Sequence, residues 1–162
     1  NWSVYSSATG INNELELNNN NPVAAATNMW KAAPTSSNFT VGYGLDGSTH
    51  TFVGYLFATL SGISKVGSYT GTGSDINVDC GFSNGARFVL IKRTDDSGNW
   101  MLFDSTRGIV SGGDDPYFQS NTSSAQKTDE NHISPLNAGF TVIAASGDLN
   151  TSGASYIFLA IA

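Results

Sequence analysis

The chain is 162 residues long, with seven Lys and Arg against thirteen Asp and Glu, a formal net charge of -6. An acidic chain without any basic stripe repels a phosphate backbone, which argues against nucleic acid as a partner, and no apolar stretch reaches the roughly 20 residues a membrane-spanning helix needs. Eighteen glycines, many Ser, Thr and Asn, and one cysteine, Cys80, exclude a helical protein and an internal disulfide and predict an all-β chain.

In chain order, "NWSVYSS" (1–7) is the first predicted strand and "NNELELN" (12–18) the second. In the latter, Leu15 and Leu17 face inward while Glu14 and Glu16 share the solvent face. Two carboxylates on one face are also what a glycosidase requires, but a half-buried strand accounts for them more simply. "NPVAAATNMWKAAPTSSN" (21–38) alternates poorly and reads as an insertion with a brief helical turn before Pro34. Its Trp30, an aromatic in a loop, is the candidate for contact with a partner. "SNFTVGYGLDGSTHTFVGYLFA" (37–58) carries further strands, and residues 59–66 form a connector.

The second half, 67–162, predicts strands at 67–71, 88–93, 99–104, 117–120, 139–145 and 155–162, each bounded by Gly, Asn, Asp or Ser. "TDDSG" joins "FVLIKR" to "NWMLFD" as an antiparallel hairpin, and the imperfect alternation of Val89, Leu90, Ile91 and Lys92 predicts a strand covered on both faces.

The two halves repeat one another. Trp2 answers Trp100, Tyr5 answers Phe103 and Gly10 answers Gly108; "LELNNN" (15–20) answers "YFQSNT" (117–122). Phe39 answers Phe140, Phe52 answers Tyr156 and Phe57 answers Ile161, with insertions confined to polar loops. The first copy has no counterpart of the strands before the second copy's Trp. The expectation is therefore an antiparallel β-sandwich built as a partial unit, 1–58, followed by a complete one, 67–162. The partial unit would be completed by further chain or by another subunit, since a half-unit exposes unpaired edges.

The segments "SKVGSYTGTG", "GFSNGARFVLIKRTDDSGNWMLFDSTRG", "FQSNTSSA", "GFTV" and "LNTSGASYIFLAIA" resemble a family of repeat domains in tail fibres and other virion surface proteins of bacteriophages, especially marine and cyanobacterial ones. The resemblance covers 63–162 in full and 2–58 in part. It implies a concanavalin-like or jelly-roll sandwich, carried on a trimeric or otherwise homo-oligomeric virion appendage among other virion proteins. It further implies host recognition through a surface glycan or a purely structural role, without catalytic residues or cofactor. The first copy departs from the pattern, with "SSATG" in place of "DSTRG".

For chemistry, Asp104 and Arg107 flank a strand end and are expected to form a structural ion pair; the first copy lacks both charges. "TDDSGN" (94–99) and "GGDDPY" (112–117) offer oxygen ligands for calcium, but adjacent Asp side chains diverge, so solvated turns are expected. His50 and His132 stand alone without zinc spacing, and no G-x-S-x-G elbow occurs. Trp2 and Trp100 are expected to pack in the core or against a sheet, while Tyr69, Tyr117 and Tyr156 are candidates for sugar stacking. A polysaccharide depolymerase and an architectural spacer are the alternatives to a receptor-binding module.

Overall fold

The computed structural model describes residues 1–43, 45, 51–144 and 146–162; His50 lies outside the described residues. The first half contributes β1 (Ser3–Val4), β2 (Asn13–Glu16), β3 (Ala24–Ala25), β4 (Trp30–Ala32) and β5 (Thr40–Val41). The second contributes β6 (Ser64–Thr70), β7 (Ile76–Asp79), β8 (Phe88–Arg93), β9 (Met101–Asp104), β10 (Tyr117–Gln119), β11 (Ile133–Leu136), β12 (Gly139–Val142) and β13 (Ser155–Ile161). All the ladders between these strands are antiparallel.

A five-stranded sheet, ordered β10-β9-β8-β13-β6, packs on a three-stranded one, β11-β12-β7, in a sandwich-like arrangement. Val89, Ile91, Phe103, Tyr156 and Phe158 of the large sheet meet Val78, Ile133, Phe140 and Val142 of the small one in the main core. Phe140 and Phe158 cross edge to face with centroids 5.4 Å apart. Gly139 permits the close approach of β12 to β7: a Cβ there would lie 2.1 Å from the Val78 carbonyl oxygen.

The opposite face of the large sheet is also covered. Leu15, Val4, Leu17 and Val23 from the first half pack on Trp100, Ile157 and Leu90. Backbone hydrogen bonds tie the two together, Val23 N–H to the Thr94 carbonyl (2.8 Å) and Gly98 N–H to that of Asn20 (2.9 Å). This explains the imperfect alternation of "FVLIKR". Val89 and Ile91 serve one core, Leu90 and Lys92 the other, so both faces of β8 select against solvent.

The repeat is visible in hydrogen bonds. Trp2 N–H donates to Asn18 Oδ1 and Trp100 N–H to Asn121 Oδ1, both at 2.8 Å. Leu17 N–H donates to the Trp2 carbonyl, as Ser120 N–H does to that of Trp100. Ser3 sits opposite Glu16 where Met101 sits opposite Gln119, so Glu16 and not Leu17 is the counterpart of Gln119. The sequence alignment of "LELNNN" with "YFQSNT" is thus one residue out of register, because the intervening loop absorbs one more position than spacing suggested; a one-residue slip exchanges the faces of a strand.

Three further expectations are corrected. Trp30 lies on β4, paired with β5, and not in a helical insertion: Gly42 N–H donates to the Met29 carbonyl as Ile143 N–H does to that of His132, so β4 and β5 are the counterparts of β11 and β12. The connector is shorter than 59–66, since β6 begins at Ser64. Residues 51–58, the expected closing strand of the first copy, form no ladder with the described residues and are exposed.

Candidate functional site

The densest cluster of reactive side chains is one the sequence reading missed. His132 is buried at the start of β11, with Nδ1 2.7 Å from Ser146 Oγ and Nε2 2.8 Å from Glu130 Oε2. Glu130 Oε2 also accepts from the Tyr117 hydroxyl at 2.6 Å. That bond, ahead of the charge of His132, holds the Glu130 carboxyl below its ordinary value, and burial together with Glu130 raises the Tyr117 phenol far above its own. His132 is not alone, then; its partners are separated in sequence and meet only because β10 and the loop after β12 flank β11.

Serine, imidazole and carboxylate in a chain resemble a nucleophile with its base and orienter. Two features separate this cluster from that chemistry. Ser146 is 1 % exposed, which denies a substrate carbonyl access to Oγ. Two surface depressions, one between Ala8, Thr9 and the β6–β13 edge and the other around Arg87, Ile109 and Pro135, are lined by other residues. The arrangement is a satisfied hydrogen-bond network that fixes the β11 end against the core. Met29 occupies the position of His132 in the first copy, so the network belongs to the second half only.

The acidic turns are structural as well, and the expectation of solvated carboxylates is corrected for Asp115. Asp115 is fully buried; Oδ1 accepts from Val110 N–H at 3.1 Å and Oδ2 from His132 and Ile133 N–H at 3.0 Å each. Asp95 is gripped by the Arg93 guanidinium through Nε and Nη2 at 3.2 and 3.0 Å and accepts Ser155 N–H at 2.9 Å. The Arg93 fork is the main reason the Asp95 carboxyl falls to about 2. No group of three or more His, Cys, Asp or Glu side chains able to hold a metal converges among the described residues. Glu14 and Glu16 do share a side of β2, where Glu16 receives the side-chain amides of Asn1 and Asn19.

The aromatics divide differently from their sequence reading. Trp100 is buried and donates through Nε1 to the Glu16 carbonyl at 2.9 Å, whereas Trp2 is 54 % exposed and stacks on exposed Tyr55 at 6.2 Å. Trp2 therefore does not pack in a core, because nothing among the described residues covers it as the first half covers Trp100. Tyr117 and Tyr156 are core residues and offer no free face to a sugar, while half-buried Tyr69 stacks on Tyr156 with one face and donates its hydroxyl to the Leu149 carbonyl. Trp30 is half-buried, edge-on to Tyr5, with Nε1 donating to the Asn13 carbonyl at 3.1 Å.

Over its whole length, residues 1–162, the chain matches the family model described as a domain of unknown function, DUF7483. The chain belongs to that family. No curated protein and no solved structure matches it.

In this DUF7483 chain Asp104 and Arg107 do meet, at 3.0 Å, and the guanidinium also lies 4.5 Å above the Phe118 ring. Asp104 Oδ1 caps the turn by accepting Thr106 and Arg107 N–H, both at 3.0 Å. Ser6 does this in the first copy, where its Oγ accepts Ala8 N–H, so the turn survives without charge. Both turns close on a glycine with positive φ, Gly10 at 79° and Gly108 at 132°. Because the backbone bonds to Asp104 remain, Arg107→Ala is expected to cost only about 1 kcal/mol, for a half-exposed pair plus a cation–π contact, measurable as a small fall in the urea midpoint.

Lys92 is the least expected residue. It is fully buried where the first half covers the large sheet, and Nζ donates to the carbonyls of Asn20 and Arg93. Burial, then repulsion from Arg93, lowers its ammonium from 10.5 to about 8. Between those values the unfolded chain holds more protons than the folded one, so the contribution of Lys92 to stability rises with pH from about 8 to 10.5. Below pH 8 the cost of burying its charge is fully present. Lys92→Met is accordingly expected to stabilise the protein by about 1 to 3 kcal/mol at pH 7, with the gain shrinking toward zero by pH 10.5 in a series of urea titrations. The Cys80 thiol, which burial pushes up to about 11, titrates in both proteins and cancels in the difference.

Proposed function

We propose that the chain is a non-enzymatic module of a phage tail fibre or similar virion appendage, a jelly-roll or concanavalin-like unit serving structure and contact with a host surface glycan. The observation that carries this reading is the use to which the polar chemistry is put. Ser146, His132, Asp115, Asp95 and Asp104 are spent on internal hydrogen bonds, while the exposed apolar and aromatic side chains gather in the first half at Trp2, Phe39, Tyr43 and the run from Phe52 to Ile63. A molecule organised this way presents surface to other macromolecules and not a cleft to a small substrate. The tandem repeat and the resemblance of its motifs to virion repeat domains supply the setting, in which homo-oligomers such as trimers place many copies on one appendage.

The test is incubation of the purified protein with an array of bacterial surface polysaccharides, read for retention and for new reducing ends. Retention without cleavage is expected. New reducing ends would replace this reading with a depolymerase, and failure to retain any glycan would leave the spacer role in its place.

A further inference from the structure

The depression around Arg87 lies at one end of the sandwich, between the loop joining β7 to β8, the end of β9 and the turn joining β11 to β12. It encloses about 310 Å³, at the small end of the range for ligand pockets. Ala86 and Ile109, half-buried and packed against the main core, give it an apolar floor, while Asn84, Arg87, Ser105 and Asn137, all exposed, supply its polar side chains.

The main chain of this groove is engaged internally. Gly85 N–H donates to the Asn137 carbonyl (2.8 Å), Ala86 N–H to that of Gly139 (2.9 Å), Arg87 N–H to that of Ile161 (2.7 Å) and Ser105 N–H to that of Arg87 (2.9 Å). These bonds fix the walls, so the groove is formed before any ligand arrives. The side chains are the reverse. Asn84, Arg87, Ser105 and Asn137 make no side-chain hydrogen bond or ion pair with the described residues. Of the three arginines, Arg93 is held by Asp95 and Arg107 by Asp104, while Arg87 has no carboxylate partner in a chain of net charge -6.

A groove of this kind recognises its ligand through side chains, because the N–H groups at 85, 86, 87 and 105 are already bonded. That disfavours an added peptide strand, which needs free main-chain donors. It suits a sugar, whose C–H faces meet the apolar floor while its hydroxyls meet the amides and the serine. The unpaired guanidinium adds a demand for negative charge, which its fork meets bidentately in a carboxylate.

We propose that this groove binds a carboxylate-bearing sugar, one uronic-acid residue of an acidic surface polysaccharide, with Arg87 on the carboxylate and Asn84, Ser105 and Asn137 on the hydroxyls. The inference rests on the reading of the chain as a glycan-contacting module and adds the chemical class of the glycan and the place where it sits.

The test titrates the intact protein with trigalacturonate and follows the backbone amide chemical shifts. Saturable shifts are expected at 84–87, 105 and 136–137, and the carboxyl-reduced trimer should bind about tenfold or more weakly, as loss of a charge-assisted hydrogen bond implies. Arg87→Gln is expected to lose the same factor with an otherwise unchanged spectrum, since the main-chain bonds of residue 87 do not involve the guanidinium. Lys31→Gln removes an equal charge on β4 and should leave the affinity as it was. Equal binding of the reduced trimer, an equal loss in Lys31→Gln, or shifts confined to other residues would overturn the proposal. So would tighter binding at 84–87 of a short peptide through its C-terminal carboxylate. Retention of neutral glycans on the array without trigalacturonate binding would overturn this inference and leave the glycan-contacting module standing. Trigalacturonate bound in the groove, with no polysaccharide retained, would keep the site and remove the receptor role.

Discussion

Asp115→Ala is expected to lower the stability of the protein by about 3 to 5 kcal/mol, because it removes a buried carboxylate from three N–H donors at once and strands the two buried ones, of His132 and Ile133, each costing about 1 to 3 kcal/mol when unpaired. The donors come from two segments, Val110 on the loop after β9 and His132 with Ile133 at the head of β11, so the carboxylate is the clasp between them. Asp115→Asn separates the contributions. An amide has one oxygen, which can serve the His132 and Ile133 pair only by turning its NH2 toward Val110 N–H. The asparagine variant should fall between wild type and alanine in a chemical-denaturation series. An alanine variant as stable as wild type would show that water enters and replaces the carboxylate.

Trp100→Ala is expected to cost about 3 to 5 kcal/mol in global stability, the range for removing a large buried aromatic, and to act on two parts of the chain. The indole fills the space between the large sheet and the first half and holds the Glu16 carbonyl. Its loss should release β1 and β2 before the main core opens, so hydrogen exchange would show fast amides at 13–17 in a variant whose β8 amides remain slow. Trp100→Phe keeps most of the contact and loses the Nε1 bond, and should cost about 1 to 2 kcal/mol. Equal exchange at 13–17 in wild type and Trp100→Ala would refute the anchoring role.

The strands of the second half were legible because their apolar bursts were long and bounded by turn residues; "FVLIKR" coincides with β8 from end to end. β7 and β11 escaped for local reasons. "INVD" is only four residues long, and Pro135 breaks the pattern in "ISPL", tolerated because β11 is the edge strand of its sheet. The repeat was legible in its landmarks but not in its register, since spacing through loops carries no hydrogen-bond information. The fates of Trp2 and Trp100 were not legible, as equivalent positions in a repeat share a strand face but not what lies over it. The Ser146–His132–Glu130 cluster was hidden by distance along the chain: each member is ordinary in its own stretch, and only the placement of β10, β11 and β12 brings them into contact. Lys92 could have been suspected from its place in a strand expected to be covered on both faces.

β13 lies between β6 and β8 and is antiparallel to both along nearly its whole length. For a protein that carries tension, the loading direction matters more than the total stability. Because Ile161 lies opposite Ser64, tension between the segment before β6 and Ala162 enters these two neighbouring strands at the same end and opens their hydrogen bonds one after another, as in a zipper, whereas a pull along β13 against strands held at the Thr70 end shears both of its ladders at once. The same strand is held by side-chain packing on both of its faces, so it cannot rotate out of the plane of the sheet to relieve the load. The molecule is in this sense a lap joint whose resistance to a drawing force depends on which end of β13 is held, and not on its size alone.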